Sequence, residues 1–329
     1  MQNFKALVLT KEEEQVRSHI KTLTLDDLPQ GDVLIKVHYS GINYKDSLAS
    51  IPNGNIVKAY PFVPGIDLAG TVVTSDNPRF KSGDEVIATS YEIGVSHYGG
   101  YSEYARIPAD WIVPLPDGLT LKEAMIIGTA GFTAALSVKK LIDSGLKPQD
   151  GPVLVTGATG GVGSFAVSIL STLGYEVAAS SGKSSSATYL TNLGATTLLT
   201  REDVYNGKIK ALAKGKWAAA VDSVGGETLA SVLSQLQYGG SVAASGLTAG
   251  TAVPTTVFPF ILRGVNLLGI DSVYCPMSLR NETWRLLATT FKPYQLEDFI
   301  QEEISLNDVP NHLPTLLEGK AQGRILIKL

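Results

Sequence analysis

Residues 153–170, VLVTGATGGVGSFAVSIL, run a short apolar stretch into Gly157-Ala-Thr-Gly160-Gly161-Val-Gly163 and straight on into a second apolar stretch with helical spacing. Glycines packed between a buried strand and a helix make a tight turn that keeps side chains away from the helix N-terminus. Unpaired N–H groups and the positive end of the helix dipole at that point attract a phosphate, so the segment reads as the pyrophosphate turn of a dinucleotide site. The alternative for the same residues is a strand-to-helix turn that binds nothing.

The surrounding pattern supports the ligand-binding reading. From Gly151 onward strands and helices alternate: PVLVTG, SFAVSILSTLG, YEVAASS, SSSATYLTNLG, GATTLLT, KWAAAVDSVGG, ETLASVLSQL, GSVAASG and NLLGIDSV. Such alternation predicts right-handed βαβ units and a doubly wound parallel sheet, an α/β Rossmann domain. Before it the chain is β-rich, with KALVLT, DVLIKVHYSGI, GIDLAGTVV, DEVIATS and SEYARIP between turn residues. KEAMIIGTAGFTAALSVKKL then has a helical period, started by a capping box from Thr120 to Glu123. Beyond NLLGIDSV, SLRNETWRLLATTF and VPNHLPTLLEGK read as helices and GRILIKL as a strand. The expected division is 1–123, 124–270 and 271–329, the last part returning to the first domain.

The residues after the second strand of the Rossmann unit discriminate between cofactors. An NAD site usually places Asp or Glu there to hold the ribose hydroxyls. Here the residues are Ser180-Ser181-Gly182-Lys183. Small hydroxyl side chains leave room for a 2′-phosphate and Lys183 can balance its charge, which favours NADPH. The competing reading makes Lys183 a solvated loop lysine.

A chain of 329 residues with 44% apolar residues can bury a large core in about two domains. Its net charge of -4 gives no global attraction to nucleic acid or an anionic membrane. No run of about 18 consecutive uncharged apolar residues suggests a membrane span, and the N-terminal residues do not read as a signal peptide, so a cytoplasmic location is expected. The single cysteine, Cys275, excludes an internal disulfide and thiolate-rich metal sites. Neither a Gly-x-Ser-x-Gly elbow nor a base beside Cys275 points to nucleophilic catalysis.

Several further stretches, taken together, carry a resemblance: Gly41-Ile-Asn-Tyr-Lys-Asp46, Pro64-Gly-Ile-Asp-Leu-Ala-Gly70, Gly83-Asp-Glu-Val86, Gly99-Gly-Tyr-Ser-Glu-Tyr104, Gly128-Thr-Ala-Gly-Phe-Thr133 and Asp222-Ser-Val-Gly-Gly226. With the glycine turn they make the chain similar to the medium-chain dehydrogenase/reductase superfamily, in its acrylyl-CoA reductase and quinone oxidoreductase branch. The resemblance implies a catalytic domain with a GroES-like β-barrel beside the Rossmann domain, and a homodimer; Asn266–Ile270 reads either as the edge strand that pairs two Rossmann sheets or as a buried central strand. It places Tyr44, Thr133, Thr159, Gly160, Gly161, Val162, Ser181, Gly182, Lys183, Leu247 and Arg324 near the cofactor.

Zinc-dependent members of that superfamily hold metal through an early Cys or His and a later Gly-His-Glu. This chain has Asn43-Tyr-Lys-Asp46 and Gly65-Ile-Asp67 at those places, and His19, His38, His97 and His312 are scattered singly. No metal site is therefore expected, and hydride delivery to an already electrophilic double bond or quinone is. Asn43 and Tyr44 are candidates to stabilise a developing oxyanion and supply a proton, with Asp46 and Asp67 behind them. Asn43 as a turn residue and Asp67 as a structural acceptor are the competing readings. Tyr98, Tyr101 and Tyr104 could wall a pocket or pack the barrel. Coenzyme A would need exposed cations, for which Arg263, Arg280 and Arg285 are candidates, whereas a quinone needs a flat apolar pocket. A small-molecule substrate is expected in either case; a non-catalytic NADPH-binding sensor is the alternative of another class.

Overall fold

The computed structural model describes residues 3–329. The chain forms two compact units, Met1–Thr129 with Val273–Ala288 and Gln295–Leu329, and Ala130–Ser272 with Thr289–Tyr294.

The first unit opens with an antiparallel hairpin, β1 (Asn3–Glu12) and β2 (Gln15–Thr24). Then come β3 (Val33–Gly41), the short helix α1 (Tyr44–Ala49), β4 (Asp67–Ser75), β5 (Glu85–Thr89), β6 (Tyr104–Ile107) and β7 (Ile112–Pro114). Alternation on β3 buries Val33, Ile35 and Val37 in one core with Leu68, Val72, Val86 and Ile107, as the period of a strand dictates.

Helix α2 (Leu121–Asp143) starts where the capping box predicts. Glu123 N–H donates to Thr120 Oγ1 at 3.1 Å, and Thr120 N–H donates to the Glu123 carboxylate at 2.8 Å. Gly128 breaks the helix with φ 49° and ψ -160°, a left-handed excursion that a glycine makes at little cost. Among the described residues α2 is the one helix long and apolar enough to cross a bilayer. With 78% of its most apolar window buried inside the protein, its apolarity is that of a core helix.

The second unit runs β8 (Val153–Val155), α3 (Gly161–Thr172), β9 (Val177–Ser180), α4 (Ala187–Asn192), β10 (Thr197–Leu199), α5 (Arg201–Val204), β11 (Trp217–Asp222), α6 (Gly226–Gln235), β12 (Leu236–Ala244), α7 (Phe258–Arg263) and β13 (Asn266–Gly269). All its strand pairs are parallel, in the order β10-β9-β8-β11-β12-β13. Chain direction across the sheet reverses between β8 and β11, the switch point at which open α/β sheets bind ligands beyond the carboxyl ends of their strands. Both strands are buried throughout, which explains their unbroken apolar runs.

The chain then adds α8 (Met277–Ala288), β14 (Ile300–Ser305), α9 (Val309–Leu317) and β15 (Arg324–Lys328). In the first unit's main sheet the order is β14-β15-β3-β4-β5-β7, with β6 also paired to β3. Antiparallel pairing of β15 with β3 sets Leu326 opposite Gly41. That register delivers Arg324 to the turn between β3 and α1.

Candidate cofactor and active-site residues

In the second unit the glycine turn stands at the end of β8. Gly157 has φ 59°, and a Cβ there would lie 2.7 Å from Ser223 Oγ, at the end of β11. A Cβ on Gly163 would collide with the Gly157 carbonyl and come within 2.7 Å of Ala158 Cα, so this glycine lets helix and strand pack closely. Gly160 differs, since its Cβ would meet protein only at an ordinary 3.4 Å. Its bare face leaves the turn open, as the approach of a pyrophosphate would require. Gly160 precedes α3, and Gly161 and Val162 form its first turn, half-buried.

Thr159 and Ser181 are brought together, their hydroxyls 3.4 Å apart. Ser181 Oγ accepts the Lys183 N–H at 3.0 Å, closing the turn over the exposed Gly182. Burial, and next the charge of Arg201, lower the Lys183 pKa. Leu247 is 56% exposed, and its Cα is 3.1 Å from where a Cβ on Gly225 would stand. Asp222 fixes that loop, accepting from Thr156 Oγ1 at 2.6 Å and Gly225 N at 2.7 Å. Thr133 lies buried on α2.

In the first unit Asn43, Asp46, Asp67, Tyr101 and Arg324 form one buried network. Arg324 is 3% exposed and reaches in from β15. It donates to Ile126 O at 3.1 Å, Ile42 O at 3.2 Å and Asn43 Oδ1 at 2.9 Å, and its Nη2 stands 3.6 Å from the Asp67 carboxylate. Two glycines make room for the guanidinium: a Cβ would come within 2.8 Å of Nη2 at Gly41 and 2.6 Å at Gly128. Asp67 accepts from Asn43 Nδ2 at 2.8 Å, from Thr129 N at 2.9 Å and from the Thr129 hydroxyl. Its geometry is that of a structural acceptor.

Asp46 is also buried. Its carboxylate accepts from Asn43 N at 2.8 Å, the reach-back half of a capping box on α1, and from Ile66 N at 2.9 Å. Burial, and next the charge of Asp67, push its pKa up to about 7. Tyr101 donates to Gly41 O at 3.3 Å, and burial beside these carboxyls holds its phenol well above the usual range. Tyr44, first residue of α1, is 38% exposed while its neighbours Asn43 and Asp46 are buried.

Other candidates are spent inside the first or second unit. Arg280 is fully buried; it donates to Thr89 Oγ1 at 3.0 Å and Val273 O at 3.1 Å and stacks on Tyr91. Arg263 donates to the carbonyls of Ser234, Leu236 and Ala213. Neither is the exposed cation that coenzyme A would need. Tyr98 packs edge-on against Phe62 and Tyr104 against Phe4, so these aromatics are barrel packing. His97 bonds to Arg106 O, His312 to Asp308 O and His38 to Thr71. Among the described residues no three His, Cys, Asp or Glu side chains gather as a metal site.

The profile described as alcohol dehydrogenase GroES-like domain matches residues 29–117, and that described as zinc-binding dehydrogenase matches residues 161–289. The "Putative quinone oxidoreductase YhfP" of Bacillus subtilis (strain 168) is 59% identical over 326 residues, 99% of each chain. The chain belongs to the medium-chain dehydrogenase/reductase superfamily. Within it, this medium-chain dehydrogenase/reductase falls in the acrylyl-CoA reductase and quinone oxidoreductase branch. The acrylyl-CoA reductase AcuI of Ruegeria pomeroyi (strain ATCC 700808 / DSM 15171 / DSS-3) is 50% identical, over 98% of each chain. The crystal structure of YhfP, with NAD bound, superposes with a TM-score of 0.98 at 58% identity and full coverage of both chains. That of the Salmonella enterica yhdH oxidoreductase, in complex with NADP, gives 0.96 at 47% identity and 99% coverage of both.

Proposed function

We propose that this medium-chain dehydrogenase/reductase uses NADPH to reduce an activated carbon–carbon double bond, in an enoyl thioester of the acrylyl-CoA type. The observation that carries the reading is the pairing of a bare-faced glycine turn with Thr159, Ser181 and Lys183: hydroxyls and a cation where an NAD site would put a carboxylate. That donor set fits a dinucleotide with a phosphate on its ribose, held by Thr159, Gly160, Gly161, Val162, Ser181, Gly182 and Lys183. Leu247 and Thr133 belong to the same unit and the same proposed site. NADPH, when bound, supplies a hydride to the β-carbon of the acceptor.

The residues of the first unit manage the remaining charge and the proton. Tyr44 is the exposed phenol, suited to donate to the thioester oxygen as negative charge develops there. Asn43, with both sides of its amide committed to Arg324 and Asp67, positions Tyr44 from within the network, as do Asp67 and Arg324. Asp46 holds a proton near neutral pH directly behind the Tyr44 turn. A proton delivered to the α-carbon completes the saturated thioester.

Relatives named for acrylyl-CoA reduction at 50% and 47% identity support the thioester. The 59% relative favours a second reading, a quinone as acceptor. Oxidation of NADPH, followed at 340 nm with acrylyl-CoA, crotonyl-CoA and simple quinones, separates them, and NADH in parallel tests the cofactor. Faster turnover with quinones overturns the thioester. Binding of NADPH with no oxidation by any acceptor overturns the enzyme in favour of a sensor.

A homodimer belongs to the same proposal. β13 is an edge strand with Leu267 exposed, and Phe258, Ile261 and Leu262 of α7 are exposed in the same unit. An unpaired edge of this kind suits a second copy. Light scattering should report twice the mass of the chain, and a monomer at all concentrations would remove the idea.

A further inference from the structure

We infer that Thr129 and Ser90 are positioning residues for the reaction: the Ser90 hydroxyl turns the Thr129 hydroxyl into Asp67, and Asp67, through Asn43, sets the pose of Tyr44. The inference rests on reading Tyr44 as the donor to the developing oxyanion.

Asp67 is gripped at both carboxylate oxygens. Oδ2 accepts from Asn43 Nδ2 and Thr129 N and faces the Arg324 guanidinium, while Oδ1 accepts from the Thr129 hydroxyl. The break of α2 at Gly128 makes this possible, because the helix resumes at Thr129 and an N–H at a helix start has no partner within its own helix. A hydroxyl has one proton to give. With that of Thr129 spent on Asp67, the Ser90 hydroxyl, 3.3 Å from it, is the donor of the pair. Donation therefore runs one way, from Ser90 to Thr129 to Asp67, and ends on the carboxylate that also receives the Asn43 amide. Asn43 caps α1 and Tyr44 is the first residue of that helix, so a turn of the Asp67 carboxylate is passed on to the phenol. Ser90 is 3% exposed and Asp67 fully buried, so neither hydroxyl bond to the carboxylate has to compete with bulk water.

The backbone that brings Ser90 to this place is strained. Ser90 has φ 67° and Tyr91 φ 50°, two successive left-handed residues of which neither is glycine. Contacts from around the turn impose that shape. Ser90 N donates to Ile66 O at 2.9 Å, one residue before Asp67, and Tyr91 N donates to Val273 O at 3.3 Å. The Tyr91 ring meets the Arg280 guanidinium at 4.4 Å and stacks on Trp111, and Arg280 also donates to Thr89 O, just ahead of the turn, at 3.2 Å. Elsewhere in the first unit the chain makes left-handed turns with glycine, as at Gly65 and Gly94, where the shape comes without steric cost. A serine at position 90 serves something other than backbone ease, and the atom it adds is the hydroxyl beside Thr129. Strain of this kind, held in place by its surroundings, belongs with a group whose direction matters to the chemistry.

The test compares thermal midpoints and the steady-state kinetics of NADPH oxidation, with the best acceptor, for the full chain and for Ser90→Ala, Ser90→Gly, Thr129→Val and Thr129→Ser. Loss of the orienting hydroxyl should lower kcat about threefold to tenfold in both Ser90 variants, and loss of the bond to Asp67 about tenfold to a hundredfold in Thr129→Val. KM for NADPH should stay within about twofold throughout, and Thr129→Ser should return kcat to within about threefold of the unsubstituted chain. Ser90→Gly relieves the left-handed strain, so its midpoint should stay level or rise while its turnover falls. A role in folding alone predicts the reverse, a lower midpoint with kcat retained in the folded fraction. Full kcat in Ser90→Ala or in Thr129→Val, a Thr129→Ser variant as slow as Thr129→Val, or a lower midpoint in Ser90→Gly would overturn the inference. Should Thr129→Val not fold, the Ser90 variants and Thr129→Ser decide it on the same criteria. If Tyr44→Phe turns over as fast as the unsubstituted chain, the reading of Tyr44 fails and takes this inference with it; if Tyr44→Phe is slow and the Ser90 and Thr129 variants are fast, the positioning role alone fails.

Discussion

Replacing Arg324 by methionine keeps the length and apolar stem of the side chain and removes its charge. The substitution strands three acceptors, the carbonyls of Ile126 and Ile42 and the amide oxygen of Asn43, and leaves Asp67 buried without the cation 3.6 Å away. Breaking a buried ion pair from one side costs about 3–5 kcal/mol, because the remaining charge has neither water nor partner. The cost falls on the first unit, where β15 meets β3. Amide exchange in peptides from Val33–Gly41 and Arg324–Lys328 should therefore accelerate about a hundredfold to a few thousandfold, at 1.4 kcal/mol per factor of ten. Removing the stranded charge as well, in R324M/D67N, should restore part of the loss, with a coupling of about 1–3 kcal/mol between the two sites. Acceleration below about tenfold, or strict additivity of the two substitutions, would refute the view of Arg324 as the counter-charge that holds this network.

Other outcomes follow from the same geometry. The Asp46 carboxyl titrates near 7 in the folded chain and near 3.9 unfolded, so the folded state keeps a proton that the unfolded state gives up. Stability of the first unit should fall by about 4 kcal/mol as pH rises from about 4 to about 7 and level off above, and Asp46→Asn should flatten that slope in urea melts across the range; an unchanged slope would count against the shift. Gly163→Ala forces a Cβ against Gly157 O and Ala158, so it should cost about 1–3 kcal/mol and weaken NADPH binding at least tenfold by calorimetry. Tyr44→Phe should leave the thermal midpoint unchanged and lower turnover with the best acceptor by about a hundredfold; unaltered steady-state kinetics would end its assigned role.

The second unit was legible because its elements are local and its central strands, β8, β9 and β11, are buried on both faces. VLV, WAAAVD and the helix after Gly160 each declare themselves by periodicity, and Thr120 and Glu123 announce the start of α2 three residues apart. The first unit was less so. β2, QVRSHIKTLT, alternates exposed and half-buried residues with no fully apolar face, and β14, IQEEIS, is mostly exposed, so neither carries a strong pattern. Asn43 and Asp67 could be nominated from their motifs, but their actual partner, Arg324, lies more than 250 residues further on and meets them only through the pairing of β15 with β3. The sequence did hold one clue to it, two glycines, Gly41 and Gly128, neither of them needed by a turn type visible in the sequence.

The Asp67 carboxylate has its positive counterpart attached to the chain by covalent bonds. Arg324 arrives with translation, in fixed one-to-one ratio, and no chelator, competing ion or metal shortage can strip it from its place. The loop that carries Tyr44 is thus held in shape by a charge that belongs to the last strand, and it keeps that shape as long as the fold brings the last strand home.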